Sequence, residues 1–213
     1  MKITNKLNNT FLLVFAIILL VSCSEVDPIG SDITFYADVQ LIGERTMIIT
    51  QGDTFSDPGA TSVINGEQVD FTTTGTVDAN TPGVYRLNYE TINEDGFPAS
   101  ADRAVVVLSS APSIYDLSGN WARTNGSPGL CVKISDRAYT YDNAGGVKGP
   151  NQLKITFYNV DDDLIYIPFT IGASESGIRV ESIDGRIVDN NNFNWSLSAS
   201  GFYGTFTRRF VRQ

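Results

Sequence analysis

Three consecutive acids, Asp161-Asp162-Asp163, form the densest acidic cluster of this 213-residue sequence. Such a cluster could hold a hard cation, or supply the paired carboxylates of glycoside hydrolysis. The second chemistry needs two carboxyl groups about 5–9.5 Å apart across a cleft, one of them with its pKa raised by burial. Consecutive residues of an extended chain point to opposite faces, so three in a row seldom converge. The run therefore reads as a solvated turn. The acids Asp53, Asp57, Asp78, Asp95 and Asp102 match no D-x-D-x-D-G calcium loop and read as surface. Histidine is absent throughout, which removes Ser-His-Asp and Cys-His catalysis and most zinc sites. Of the two cysteines, Cys131 lies in the apolar Leu130-Cys131-Val132 with only Lys133 beside it, and reads as a small buried hydrophobe. No catalytic residue, metal or cofactor is expected.

Aromatic rings are the other chemistry-bearing groups, because they can stack on the apolar faces of pyranose rings. Period-two alternation assigns most of them to a core. Trp121 shares a face with Leu117. Phe193, Trp195, Leu197 and Ala199 share another, with Asn194, Ser196 and Ser198 opposite, and Phe202, Phe206 and Phe210 line up. The tyrosines fall differently. Leu153, Ile155 and Phe157 leave Tyr158 and Lys154 on the opposite face, and Ile165, Ile167, Phe169 and Ile171 leave Tyr166 opposite. Tyr203 falls opposite Phe202, with Thr205, Thr207 and Arg209, while Tyr139 and Tyr141 share one face of a short strand. Tyr139, Tyr141, Tyr158, Tyr166 and Tyr203 are thus the candidate ligand-binding residues. The competing reading has them cover a second packing surface or an interdomain contact.

The elements that must position these residues are strands. Runs of Val, Ile, Thr, Tyr and Phe alternate with Gly, Asn, Asp and Pro clusters roughly every eight to twelve residues, and no stretch after Val21 keeps a helical period. Ser109-Ser110-Ala111-Pro112-Ser113 is a small, proline-containing break. The spacing predicts an all-β protein with a first domain over 32–110, a linker over 111–114 and a second domain over 115–213. In the second domain strands are expected near 130–135, 137–142, 152–160, 164–171, 177–183, 186–188 and 192–199. Asp142-Asn143-Ala144-Gly145-Gly146, Asp161-Asp162-Asp163, Asp184-Gly185, Asp189-Asn190-Asn191-Asn192 and Ser200-Gly201 are read as turns between them. Sequential hairpins give an antiparallel meander, closed as a barrel or folded as a sandwich.

GDTFSDPGATSV (52–63), VDANTPGVYRLNYETINEDG (77–96) and RAVVVL (103–108) together resemble the immunoglobulin-like repeat of bacterial surface proteins, also found in a pesticidal crystal protein. The resemblance covers about 75 residues. It implies a β-sandwich with turns at Asp57-Pro58-Gly59 and Thr81-Pro82-Gly83, where Pro presets φ and Gly accepts φ > 0. It also implies alternation of Tyr85, Leu87 and Tyr89 and of Val105 and Val107. Phe97-Pro98 departs from the pattern, which usually places Asn after the glycine. In the second half, Gly119-Asn120-Trp121 with arginines at the end of the chain is similar to the G-x-W and closing arginine of lipocalin-like barrels. The whole order resembles two-domain Bacteroidetes lipoproteins with a β-rich C-terminal domain of unknown function, which are often linked to glycan use.

The N-terminus supplies the address. Lys2 and Lys6 precede the apolar run Phe11–Val21, and the run ends in Leu20-Val21-Ser22-Cys23. Eleven apolar residues are too few to span a bilayer, which takes about 20. A basic start and short apolar core mark a secretory signal, and the final four residues resemble the bacterial lipobox. The resemblance implies cleavage of residues 1–22, lipid attachment at Cys23, and a polar tether over 23–31. Acyl chains contribute about 0.8 kcal/mol per buried methylene. With Cys23 acylated, Cys131 has no disulfide partner. Loss of Lys2 and Lys6 moves the formal charge from −9 to −11, which disfavours nucleic acid. The acidic start after Cys23 resembles the surface-export signal of Bacteroidetes lipoproteins. The expectation is a non-catalytic protein, lipid-anchored in the outer membrane and exposed at the cell surface, that binds a glycan or another extracellular ligand through its C-terminal domain. The alternative is a structural or adhesive module contacting an outer-membrane protein partner.

Overall fold

The computed structural model describes residues 33–199 and 203–213. The leader 1–22, the lipid-attachment residue Cys23, the tether 23–31, the Ser200-Gly201 turn and Phe202 lie outside the described residues. Residues Phe35–Gln213 make one compact unit. No α-helix occurs among the described residues.

The N-terminal half is a sandwich of two sheets. One joins β1 (Asp38–Leu41), β3 (Ala60–Ile64) and β4 (Glu67–Gln68); the other has the order β2 (Thr46–Thr50), β7 (Pro98–Leu108), β6 (Gly83–Ile92), β5 (Thr72–Thr74). β2 runs parallel to β7, with Thr46 opposite Ala104. Leu87, Tyr89 and Val105 face the interior as their alternation requires, packed against Ala60, Met47, Ile49 and Phe71. Gly59 has φ 79°, the left-handed conformation the Asp57-Pro58-Gly59 turn needs. Gly83 differs from the expectation: it opens β6 opposite Val107 as an ordinary strand residue. The departing Phe97-Pro98 pair is absorbed by the hairpin. Asn93 Oδ1 accepts from the Phe97 amide at 2.7 Å, and Pro98 starts β7 opposite Ile92.

Arg103 locks the sandwich. It is fully buried and donates to the carbonyls of Glu44 (2.5 Å), Ile42 (2.8 Å) and Gly59 (2.9 Å) and to the Tyr89 hydroxyl (3.2 Å). Asp57 lies 3.4 Å from its Nε and accepts from Tyr89 Oη at 2.6 Å. Asp57, Tyr89 and Arg103, far apart in sequence, are one polar cluster.

The C-terminal half resolves the choice between barrel and sandwich. β8 (Gly119–Arg123), β9 (Pro128–Lys133), β10 (Ala138–Tyr141), β11 (Ile155–Asn159), β12 (Ile165–Tyr166), β13 (Val180–Asp189), β14 (Asn192–Ala199) and β15 (Arg208–Arg212) form an antiparallel sheet in the order β12-β11-β10-β9-β8-β15-β14-β13. Its end strands meet: Ser182 N donates to Ile167 O at 3.0 Å and Ile187 N to Asp163 O at 2.8 Å. The sheet is a nearly closed barrel.

Asp184-Gly185 is no turn. The expected strands 177–183 and 186–188 are merged in β13, whose register slips between Ser182 and Asp184. The slip is a bulge: the strand bends to close the barrel without breaking. A Cβ on Gly185 would stand 2.7 Å from Ile165 O, so the glycine serves the close approach of β12. The barrel interior is filled by rings. Trp121, Trp195, Phe157, Phe193, Phe210, Tyr139 and Tyr141 are all buried, and Trp195 lies 4.7 Å from Phe210 and 4.8 Å from Phe193. Arg212 closes one side, its guanidinium carbon 4.4 Å from the Trp121 ring centroid and its donors on Asp116 O and Ser118 O. Phe206 departs from the expected core face and is 54% exposed, because 203–207 is not a strand and the two-residue period does not hold there.

Asp161-Asp162-Asp163 is a turn, but its middle acid is not simply solvated. Asp162 accepts from Arg137 (3.2 Å), Asn159 (3.0 Å) and Ser113 (2.8 Å), and Arg137 also donates to Ala111 O. The acid thereby fastens the linker. Burial alone would raise the Asp162 pKa; the bonds from Asn159, Ser113 and Arg137 outweigh it and hold the carboxyl below its usual range. A depressed folded-state pKa stabilises above the ordinary carboxylate range, and that contribution is lost as pH falls through the depressed value. Asp162→Asn keeps a residue that tolerates the φ of 74° at this site. It should therefore destabilise at pH 7 and lose its deficit towards pH 3, as read from urea midpoints at both pH values.

Candidate functional site

The five candidate tyrosines do not form a surface platform. Tyr139 and Tyr141 point into the barrel, where the Tyr139 ring stacks on Phe157 at 5.2 Å and Tyr141 meets Phe210 at 5.4 Å. Burial pushes the Tyr139 hydroxyl up to about 12 and raises that of Tyr141 further. Tyr203 is buried too, its hydroxyl bonded to Asn151 O at 2.5 Å. A Cβ on Gly145 would lie 2.4 Å from the Tyr203 ring, so the Gly145-Gly146 turn lets that ring seat. Tyr158 and Tyr166 are cross-strand partners on β11 and β12. Tyr158 is half-buried. Tyr166 is buried, with its hydroxyl 2.6 Å from Glu181. Alternation alone did not tell inside from outside for these rings. The barrel turns the Tyr139/Tyr141 face inward, and a neighbouring surface covers Tyr166.

The open surface lies instead on the outer wall of β9, β10 and β11. Leu130 and Val132 are 46% and 48% exposed. With Thr140, Thr156, Asp142, Lys154 and Thr170 they line a groove of about 410 Å³. Two further depressions adjoin it. One, of about 730 Å³, includes Gly149, Pro150, Gln152 and Glu175; the other, of about 660 Å³, includes Asn120, Asn143, Lys148 and Gln213. Asp142 lines all three. Its Oδ1 accepts the Leu130 amide at 2.8 Å and its carbonyl accepts from Gln152 at 3.0 Å. An apolar floor rimmed by a carboxylate, an ammonium and amides can hold a ligand with both apolar and hydroxylated faces. Sequence reasoning passed over these residues. The available signal was Leu130-Cys131-Val132, apolar on both faces of one strand. Cys131 takes the inside, its thiol raised to about 12 by burial, and so Leu130 and Val132 must face out.

Residues 39–107 match the family described as bacterial surface protein, Ig-like domain. This part of the chain folds as an Ig-like domain similar to those of bacterial surface proteins. No curated protein matches the sequence. Among solved structures, the lipoprotein BT2262 from Bacteroides thetaiotaomicron is similar at 20% identity with a TM-score of 0.38, covering 84% of this chain and 100% of that one.

The Ig-like domain is not a loose neighbour of the barrel. Ala104 and Val106, on the β7 face away from its own core, pack with Val160, Tyr166, Ile48 and Leu164. Arg86 of the Ig-like domain pairs with Glu181 at 2.5 Å, and that carboxylate also accepts from Tyr166. Arg45 stands 4.1 Å over the Phe169 ring. β7 is therefore buried on both faces, where a lone sandwich strand would alternate. The Tyr166 reading as interdomain contact is the one the geometry matches.

Proposed function

We propose that this chain is a non-catalytic surface lipoprotein, anchored in the outer membrane through Cys23, that binds a glycan or a similarly amphipathic extracellular ligand on the outer wall of its barrel. The Ig-like domain acts as a braced spacer. The observation that carries the reading is the joined set of grooves around Asp142, with Leu130 and Val132 as floor. Lys154 and Gln152 supply donors for sugar hydroxyls, and the apolar floor takes the hydrophobic face of a ring. Of the candidate tyrosines, Tyr141 lines this groove, from inside the barrel wall.

The chain starting after Ser24 keeps the whole Phe35–Gln213 unit, so it is the material for a glycan array. We expect a defined set of hits, weakened about tenfold or more by Asp142→Ala or Lys154→Ala. The buried polar partners left unpaired in the complex set that size. Hits that survive both substitutions would move the site elsewhere. A blank array from folded protein, together with co-purification of an outer-membrane protein, would favour the adhesive role instead.

A further inference from the structure

Four arginines of this acidic protein have a carboxylate partner among the described residues. Arg86 pairs with Glu181, Arg103 with Asp57, Arg137 with Asp162, and Arg186 with Asp163 and Asp184. Arg123 and Arg208 have no carboxylate within ion-pair distance among the described residues. Arg208 is 1% exposed. Its Nη1 and Nη2 donate to the carbonyls of Phe206 (3.1 Å) and Gly204 (2.9 Å), while its Nε, buried, has no hydrogen-bond partner among the described residues. Arg123 donates from Nη1 to Gly145 O at 3.2 Å. Both guanidinium carbons stand over one ring, that of Phe206, at 5.1 Å and 4.3 Å from its centroid.

This arrangement is costly as it stands. Removing an ion from water without a counter-ion is strongly penalised, and a ring face offsets only part of that penalty. Burial first, and then the charge of Arg123, make Arg208 harder to keep protonated. A third group of negative charge relieves all of these at once. The Nε edge of a guanidinium is the geometry that grips two oxygens of one anion, and in Arg208 that Nε is unused.

We infer that Arg123 and Arg208 form a site for a small oxyanion, a carboxylate or a sulfate group, with the exposed Phe206 ring as its movable cover. The site shares none of the residues lining the grooves around Asp142, so the two proposals stand or fall separately. The ligand chemistry has two sources, a free inorganic anion or an acid group carried by a sugar.

Thermal unfolding of the chain starting after Ser24 tests this, in sodium sulfate, sodium glucuronate and sodium chloride at matched ionic strength. Sulfate also stabilises proteins by exclusion from their surface, so Arg123→Gln provides the non-specific baseline. A saturable rise in Tm of about 4 °C at tenfold excess over Kd is expected, and Arg123→Gln should lose it. Phe206→Ala, which removes the cover but neither cation, should keep the response. A response to sulfate alone identifies a free inorganic anion. A response to glucuronate as well identifies an acidic sugar. Equal shifts in the parent and in Arg123→Gln, with either salt, overturn the site.

Discussion

Trp195→Ala should lower the stability of the protein by about 3–5 kcal/mol, the range for deleting a fully buried large side chain whose site cannot collapse. Trp195 is enclosed by Phe193, Phe210, Phe157 and Tyr141 at centroid distances of 4.7–5.7 Å. These rings come from four strands, so no single backbone shift can fill the hole. The indole also donates to Ala144 O at 2.8 Å, in the loop that follows Asp142. The substitution should therefore loosen the groove along with the core. Trp195→Phe separates the two effects. It keeps most of the apolar volume but orphans the Ala144 carbonyl, at a cost of about 1–3 kcal/mol. Guanidinium unfolding of the three proteins is the measurement. A loss below about 1 kcal/mol for Trp195→Ala would mean the ring stack is not the core of the barrel.

The second large effect is in the Ig-like domain. Arg103→Ala should cost about 3–5 kcal/mol, because it leaves a buried set of acceptors without their donor. The carbonyls of Ile42, Glu44 and Gly59 and the Asp57 carboxylate all turn towards that guanidinium. Arg103→Lys should recover only a small part, since one ammonium cannot reach acceptors spread around a planar fork. Arg86 is the control. It also makes an ion pair, yet its side chain is 45% exposed, and pairs of that kind contribute about 0–1 kcal/mol. If Arg86→Ala and Arg103→Ala cost the same in urea unfolding, the polar cluster is not what fixes the two sheets.

The Ig-like part was readable because its signals are local. A Pro-Gly turn and a strand with every second residue apolar each constrain only a few neighbours, and Asp57-Pro58-Gly59 and Tyr85-Leu87-Tyr89 fold as those constraints require. The role of Arg103 was not readable. Its partners lie 14 to 61 residues away, and nothing in RAVVVL distinguishes a buried arginine from a surface one. Likewise Ala104 and Val106 are buried only because a second domain lies on them.

In the barrel, alternation correctly sent Phe193, Trp195 and Leu197 inward. It divides residues into two faces and does not say which face a closed sheet turns inward. The period therefore admits Tyr139 and Tyr141 as ligand-binding residues on an open face, and closure of the barrel turns both inward instead. Gly185 carried a turn signal that the bulge overrode, because the bond-rich edge of β13 continues past it to meet β12.

The sequence by itself determined the all-β class, the place of the Ig-like domain, the inward course of both tryptophans and the burial of Cys131. Each follows from residue types within a few positions of one another. The tertiary structure alone decided that the second half closes as a barrel, that four of the five candidate tyrosines are buried, that Leu130, Val132, Asp142 and Lys154 share one groove, and that Arg123 and Arg208 meet with no acid beside them among the described residues. Those outcomes depend on which strand becomes whose neighbour, and that is set by packing over the whole chain.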